Sequence, residues 1–426
     1  MEGSALYACF RRSSGVSTDT RTLRAGELFF ALRGPNFDGN RYVEKAFAAG
    51  ASAVVADDPE LPPRENLWIV PDALQALQAL ARHHRDQQEI PFIALTGSNG
   101  KTTSKELLTA VLSSRYRVHA TRGNLNNHIG VPLTLLSMPP NTEIALIEMG
   151  ANHVGDIAEL CQIAAPTHGA ITNIGKAHIE GFGGQAGVLQ GKTELYQFLQ
   201  QQGGQIFAPA YDPLLAQVLP QYPEAILWGK PNTFFSVEAL QTEPQIIYRD
   251  PEGNTTTTQL FGQHNLHNIQ LALAFGRWWD VPAADANAAI AAYAPQNNRS
   301  QVIQEQGYTY ILDAYNANPS SMEAGLRSFA QMPATHRVAI LGDMLELGEI
   351  TDQEHRRVRT LAYSLGLDQV IFCGPNFARI ATEEDQVWTD ALQLRGFLQR
   401  HPLPARAHVY LKGSRKVQLE QIIWKI

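Results

Sequence analysis

Phe-Ile-Ala-Leu-Thr-Gly-Ser-Asn-Gly-Lys-Thr-Thr, residues 92–103, reads as an apolar strand that runs into a glycine-bounded loop and then into a helix. Gly97 and Gly100 let the backbone turn tightly, so that N–H groups around Ser98 and Asn99 can face a phosphate. Lys101 supplies a point charge to the β- and γ-phosphates, and the Thr102 hydroxyl, followed by Thr103, is of the type that ligates Mg²⁺. A helix starting at Lys101 adds the positive end of its dipole. The usual phosphate loop has four residues between its glycines. Here Gly97 and Gly100 enclose only two, and Leu95 stands at the usual first-glycine position. With a strand before and a helix after, the stretch predicts a nucleoside triphosphate site in an α/β domain.

Working outward, the chain divides into three blocks. Residues 1–88 hold short strands (Glu27–Leu32, Ala53–Val55, Leu67–Val70) and helices near Tyr42–Ala49 and Asp72–Arg85, closed by the charged, glutamine-rich segment Arg82–Glu89. Residues 89–298 alternate strands (Phe92–Thr96, Ile144–Glu148, His168–Thr172) with helices (Lys101–Arg115, Gln185–Gln202), the order of a parallel sheet covered by helices. Between about 224 and 261 the pattern changes to short strands with Pro-Asn and Gly-Asn turns, an antiparallel insertion. Helices Asn265–Trp279 and Ala283–Tyr293 follow. Residues 299–426 form a third α/β unit with strands at Tyr308–Asp313, Arg337–Leu341, Val370–Cys373 and His408–Leu411, a small doubly wound domain.

Composition narrows the function. At 426 residues the chain suits two or three domains, and 44% hydrophobic with 18% charged residues is ordinary for a globular protein. A net charge of −7 argues against a general nucleic-acid or membrane-surface role. The start Met1-Glu2-Gly3-Ser4 has no basic region, Ala5–Phe10 is too short for a signal core, and no run approaches the roughly 20 apolar residues of a membrane span. Three distant cysteines suggest neither disulfides nor a zinc cluster. The expectation is a cytoplasmic protein without a membrane span.

Polar residues cluster at strand ends. Glu148 closes an apolar strand beside the phosphate loop, where a Walker B-type acid meets Mg²⁺. Asn124, Asn126, Asn127 and His128 occupy a segment that suits either a ligand-facing loop or a self-bonded turn. His178 follows the next strand, and Lys192 alone would pass for a surface lysine. Asn265 and Asn268 are three apart and share a face if the helix has begun. They suit reading an adenine edge, or one of them caps the helix. Asp313–Pro319, with Asn316 and Asn318, and Leu341–Gly348, with Asp343, close two strands of the third block, while Arg299 sits at its hinge.

Together these segments resemble the Mur ligases of peptidoglycan synthesis. Residues 96–103 and Gly-Gln-His-Asn-Leu-His-Asn at 262–268 are similar to the family's ATP-binding motifs. Residues 124–132, 313–319 and 341–348 resemble the branch that adds D-alanyl-D-alanine. Ser17-Thr18-Asp19-Thr20-Arg21 and residues 26–32 resemble its uridine-nucleotide-binding N-terminal domain. The resemblance implies a three-domain α/β protein. Its parts are a small N-terminal domain (1–88) for the UDP-linked substrate, a central P-loop ATPase-like parallel sheet (89–298), and a C-terminal Rossmann-like domain (299–426). It implies ATP and two Mg²⁺ ions as cofactors, with UDP-N-acetylmuramoyl-tripeptide and D-alanyl-D-alanine as substrates of a monomeric ligase. Residue by residue, it puts Lys101 on the phosphates and Thr102, Glu148 and His178 on metal. Lys192 is then a carbamylated lysine supporting a second Mg²⁺. Asn265 and Asn268 fall at adenine, and Arg299 and Asp313 at phosphate and ribose. Ser17, Thr18, Asp19 and Arg21 fall with the UDP moiety, and Asn124, Asn126, Asn127 and His128 with substrate, while the donors and acceptors of Asn316, Asn318 and Asp343 at strand ends suit a zwitterionic dipeptide, Asp343 for its ammonium. Asn298 departs from the family, which usually has glycine before the arginine. Lys412-Gly413-Ser414-Arg415 also fits the family without a definite role. The competing expectations are a folylpolyglutamate-synthetase-like ligase, which lacks a uridine-nucleotide domain, and a nucleotide-dependent scaffold that has lost catalysis.

Overall fold

The structure is a computed structural model and describes residues 2–296 and 298–423. Its N-terminal part is a four-stranded parallel sheet in the order Val16–Ser17, Leu28–Phe30, Ala53–Ala56, Leu67–Ile69. Helix Ala73–Asp86 starts where the Asp72 carboxylate accepts the Gln75 N–H, and it ends on Arg85, a cation suited to the negative end of the dipole. This helix fastens the first domain to the second. Arg85 donates to the carbonyls of Ala164 and Ala165, and Gln78 to the His128 carbonyl and Glu159. Leu77, Leu80 and Ala81 join an apolar core continuous with that under the central sheet.

The central sheet has six parallel strands in the order Ile226–Trp228, Gln205–Pro209, His168–Ile171, Phe92–Thr96, Ile144–Glu148, Val118–Ala120. Phe92–Thr96 and Ile144–Glu148 are buried at every residue, the pattern of a parallel strand covered on both faces. The stretch expected as one antiparallel insertion is split. Ile226–Trp228 pairs parallel with Gln205–Pro209 and ends on the buried Trp228, so it belongs to the central sheet. Only Glu238–Gln241, Ile247–Arg249 and Thr255–Thr257 form an antiparallel sheet.

The C-terminal sheet also has six strands: Gln301–Glu305, Tyr308–Asp313, His408–Lys412, Arg337–Gly342, Gln369–Cys373 and Gln386–Trp388 in spatial order. All pairs are parallel except the first, a hairpin turning through Gln306 and Gly307 at φ of 52° and 81°. The C-terminal domain closes onto the phosphate loop. Asn318 Nδ2 donates to Asn99 Oδ1 at 2.7 Å, the Lys176 N–H donates to Ser320 Oγ at 3.0 Å, and Lys176 Nζ meets the buried Glu354 at 2.6 Å. The carboxyl edges of the two six-stranded sheets thereby enclose one cavity of about 570 Å³. Among the described residues no helix is long and apolar enough to cross a membrane.

Candidate functional site

Both loop glycines are required by close contact. A Cβ on Gly97 (φ +140°) would lie 2.0 Å from Thr172 Oγ1, and one on Gly100 (φ +79°) 2.5 Å from Asn268 Oδ1. The N–H groups of Ser98 and Asn99, expected to face phosphate, are instead taken by the backbone carbonyl and side-chain oxygen of Asn173. Phosphate-facing donors remain at the start of helix Lys101–Ser113, because the N–H groups of Lys101, Thr102 and Thr103 have no carbonyl of their own helix to bond. Lys101 Nζ folds back onto the Gly97 carbonyl at 2.7 Å. Burial lowers its pKa, and the charge of Glu148 opposes that shift.

Glu148 stands at the end of its strand with one oxygen satisfied and one free. Oε1 accepts from Thr102 Oγ1 at 3.2 Å and from Asn126 Nδ2 at 2.8 Å, whereas Oε2 is buried with no partner. An unpaired carboxylate oxygen next to a hydroxyl, in a polar cavity, fits a hard cation that takes its remaining ligands from phosphate and water. Among the described residues no group of three His, Cys, Asp or Glu side chains comes together, so the protein offers such an ion few ligands. The asparagine segment divides its work. Asn126 holds Glu148, while Asn127 Oδ1 accepts the N–H groups of Ile129 and Gly130 as a self-bonded turn. Asn124 and His128 line the cavity as well.

His178, at φ +52°, points across the domain boundary, with its Nδ1 2.5 Å from Glu346 Oε2. A carboxylate on one ring nitrogen leaves Nε2 for a metal, the usual arrangement behind a ligating histidine. Lys192 is no surface residue. It is 1% exposed within helix Gln185–Gln202, and its Nζ donates to the Ala151 carbonyl at 3.2 Å. Burial, helped by the charge of Lys101 and opposed by Asp156 and Glu194, pushes the ammonium well below its ordinary pKa. Lys192 itself stays behind the cavity wall, one residue removed through Ala151.

On the opposite wall, Asn265 and Asn268 both lie within helix Gln263–Trp278, whose N-cap is Gly262, so neither caps it. Asn268 Nδ2 donates to Asn265 Oδ1 at 3.0 Å, and Ser104 Oγ donates to Asn268 Oδ1 at 3.0 Å. Burial holds the neighbouring His264 and His267 down to about 4, and each has an Nδ1 without partner. Arg299 stacks on Tyr315, its guanidinium carbon 3.7 Å from the ring centre. Asn298 before it adopts φ +59°, the left-handed conformation that glycine favours and asparagine tolerates, so the departure from the family pattern keeps the turn. Asp313, Asn316 and Asn318 line the cavity. Asn318 also caps helix Pro319–Ala330, accepting the Ser321 N–H at 2.9 Å.

The structure corrects one placement. Asp343 is not in the cavity. It is 1% exposed, its Oδ2 accepts the Asn376 N–H at 2.8 Å, and its Oδ1 accepts the Phe377 N–H at 2.9 Å. Burial raises its pKa against those two bonds. Committed to a helix N-terminus, it has no oxygen turned to a substrate ammonium. Ser17, Thr18, Asp19 and Arg21, expected with the UDP moiety, lie on the first domain and not in this cavity. Ser17 Oγ bonds the Asp19 backbone, and Asp19 pairs with Arg21 at 2.6 Å on the exposed surface. Sequence reasoning missed Tyr315, Ser300, His264 and Lys412 in the cavity wall and Glu346 behind His178. Lys412 sits in the Lys412–Arg415 motif, and His264, Tyr315 and Glu346 fall inside the motifs at 262–268, 313–319 and 341–348, whereas Ser300 carried no signal.

The chain matches the Mur ligase middle domain over residues 95–276, the Mur ligase glutamate ligase domain over 298–412, and the Mur ligase family catalytic domain over 12–85. It is 35% identical over 423 residues to the UDP-N-acetylmuramoyl-tripeptide–D-alanyl-D-alanine ligase of Bacillus subtilis, covering 96% of this chain and 92% of that one. Among solved structures it is similar to MurF from Acinetobacter baumannii (TM-score 0.87, 29% identity, 99% and 97% of the two chains). MurF from Thermotoga maritima in complex with ADP is another (TM-score 0.86, 26% identity, 97% and 96%).

Proposed function

This chain belongs to the Mur ligase family, and we propose that it joins D-alanyl-D-alanine to UDP-N-acetylmuramoyl-tripeptide in an ATP-dependent amide ligation. The observation that carries the reading is the meeting of two carboxyl edges. The phosphate-loop wall and the third domain's strand ends share one cavity, in a chain that resembles a ligase of that name over 96% of its length. The family match over residues 12–85 covers the region that a folylpolyglutamate-synthetase-like ligase would lack, and Lys101, Glu148, His178 and Lys192 are all present, against a scaffold.

A carboxylate does not accept an amine at neutral pH, because the leaving group would be oxide. Transfer of the γ-phosphoryl group to the tripeptide's terminal carboxylate gives an acyl phosphate and ADP. The amine of the dipeptide then attacks the carbonyl carbon, phosphate leaves, and the nitrogen loses its proton. Lys101 and the first-turn N–H groups of its helix stabilise charge on the transferring phosphoryl group. Thr102 and Asn126 orient Glu148, which with Thr102, and with His178 steadied by Glu346, would hold Mg²⁺. When bound, that ion offsets the repulsion between the substrate carboxylate and the γ-phosphate. Asn265 and Asn268 fit the adenine, Asp313 the ribose and Arg299 the phosphates, and Ser17, Thr18, Asp19 and Arg21 take the UDP moiety on the first domain. The closed third domain excludes water that would hydrolyse the acyl phosphate.

Lys192 enters as a carbamate. The neutral amine is the nucleophile for CO₂, and burial favours that form by pushing the ammonium well below its ordinary pKa. Formation of the N–C bond with loss of a proton turns that neutral amine into an anion beside Ala151, suited to supporting a second Mg²⁺. Phosphate release is the test. The ligase requires tripeptide substrate and D-alanyl-D-alanine together, and release with either one alone at the full rate would contradict the assignment.

A further inference from the structure

The Lys412-Gly413-Ser414 turn ends the strand His408–Lys412, which lies between Tyr308–Asp313 on one side and Arg337–Gly342 on the other. Its register puts Lys412 opposite Asp313, and in the other direction opposite Leu341. From this position the turn reaches into both neighbouring loops. Lys412, 3% exposed, places its Nζ 2.6 Å from Asp313 Oδ2 and 3.4 Å from the Asn316 carbonyl. Tyr410 donates to the same carboxylate oxygen at 3.3 Å, so Oδ2 is held twice, while Oδ1 accepts one long bond from the Ser300 N–H at 3.4 Å. Two residues later the bonds run the other way. The Ser414 N–H donates to the Asp343 carbonyl at 3.0 Å, and Ser414 Oγ accepts the Leu345 N–H at 3.1 Å. Between them Gly413 touches backbone to backbone, since a Cβ there would lie 2.9 Å from Gly342 Cα. The loop fixed by Ser414 is the one that carries Glu346 to His178.

We propose that this turn is a positioning device joining the two halves of the C-terminal wall. Lys412 orients Asp313 for the nucleotide, and Ser414 holds the loop 343–346 so that Glu346 steadies His178. Lys412 touches no substrate in this account and acts through Asp313. Burial pushes the Asp313 carboxyl up, but the charge and hydrogen bond of Lys412 outweigh it, so the group stays ionised and able to accept from a diol. A buried ion pair adds little to net stability, whereas a carboxylate held by one oxygen presents the other in a fixed direction. The inference rests on the reading that Asp313 meets the ribose.

ADP affinity, measured by calorimetry on the full chain, and KM for each substrate separate the parts. Asp313→Asn should weaken ADP about tenfold, the loss of a charge-assisted hydrogen bond. Lys412→Met should raise the ADP Kd at least about fivefold while KM for D-alanyl-D-alanine stays within about twofold. Should the buried carboxylate keep Lys412→Met from folding, Lys412→Arg keeps the charge but displaces the carboxylate with its wider planar head, and ADP should weaken again. Ser414→Ala should do the reverse, lowering kcat/KM for the dipeptide about fivefold with ADP Kd within about twofold, and Ser414→Thr should restore it by keeping the hydroxyl. If Asp313→Asn binds ADP as wild type does, the nucleotide reading of Asp313 falls. If Asp313→Asn loses affinity but a folded Lys412 variant keeps it, or if Ser414→Ala leaves kcat/KM unchanged, the positioning device is overturned.

Discussion

The two six-stranded sheets present their carboxyl edges to the same cavity, yet they use them differently. On the central edge Lys101 lies over the loop, and Glu148, with a bare oxygen and Asn126 bonded to it, lines the cavity. On the C-terminal edge two aspartates flank the same strand, and only one reaches the cavity. Asp313 faces Lys412 and stays in the wall. Asp343 faces the start of helix Pro375–Ile380, where Pro375 has no N–H and the donors of Asn376 and Phe377 converge on the carboxylate. Gly374 (φ +127°) makes this possible, because a Cβ there would lie 2.3 Å from Asp343 Cγ. A polar residue at a parallel strand's end is placed to bind a ligand, but the next strand's loop decides whether it is free to do so.

If the central edge carries the chemistry, Lys101→Ala should remove ligation by roughly three orders of magnitude or more while the melting temperature moves little. Near-normal turnover by that folded variant would break the contrast at once. Lys192→Ala should come next, nearly inactive and partly rescued by acetate, a short carboxylate standing in for the carbamate. Mass spectrometry under CO₂ should find 44 Da on the wild-type lysine (roughly, CO₂ adding across N–H). No rescue and an unmodified lysine would return Lys192 to a structural role.

Asp343→Ala tests the other edge and should act on stability. Two charge-assisted bonds to a helix start are lost, costing about 2–3 kcal/mol. Asp343→Asn, which keeps one acceptor, should leave KM for D-alanyl-D-alanine within about twofold. A strong rise in that KM without a fall in melting temperature would put the amine site back on this strand end.

Acid stability gives a further test. His168, His264 and His267, all in the central domain, are held down to about 4 by burial, against an ordinary 6.5. Between those values the unfolded chain binds protons that the native one refuses, so stability falls as pH drops from 6.5 toward 4. Asp313, with its pKa lowered from 3.8, contributes stability that is lost only below that window. Thermal melts from pH 7 to pH 4 should therefore decline through the histidine range. A flat profile would mean that these rings are solvated.

Much of this was legible in the sequence. Phe92–Thr96, Ile144–Glu148 and Gln185–Gln202 have the bounds their patterning predicts, because an apolar run or a helical stretch ends at a glycine or a polar residue. Val118–Ala120, Gln205–Pro209 and Gln386–Trp388 escaped, since short strands at or near a sheet edge take their identity from a neighbour rather than from their own pattern. In the site, local motifs delivered Lys101, Thr102 and Glu148. What they did not deliver is pairing across long separations. Glu346 beside His178, Lys412 beside Asp313 and Asp343 under residues 376–377 are set by topology, and no window of sequence contains both partners.

The central claim is that the tripeptide carboxylate is phosphorylated before the amine attacks it. Tripeptide substrate labelled with ¹⁸O in its terminal carboxylate tests it most directly, read by mass spectrometry of the phosphate released during ligation. The acyl-phosphate route carries one labelled oxygen from that carboxylate into inorganic phosphate at each turnover. Phosphate free of label, alongside normal formation of the amide, would contradict it.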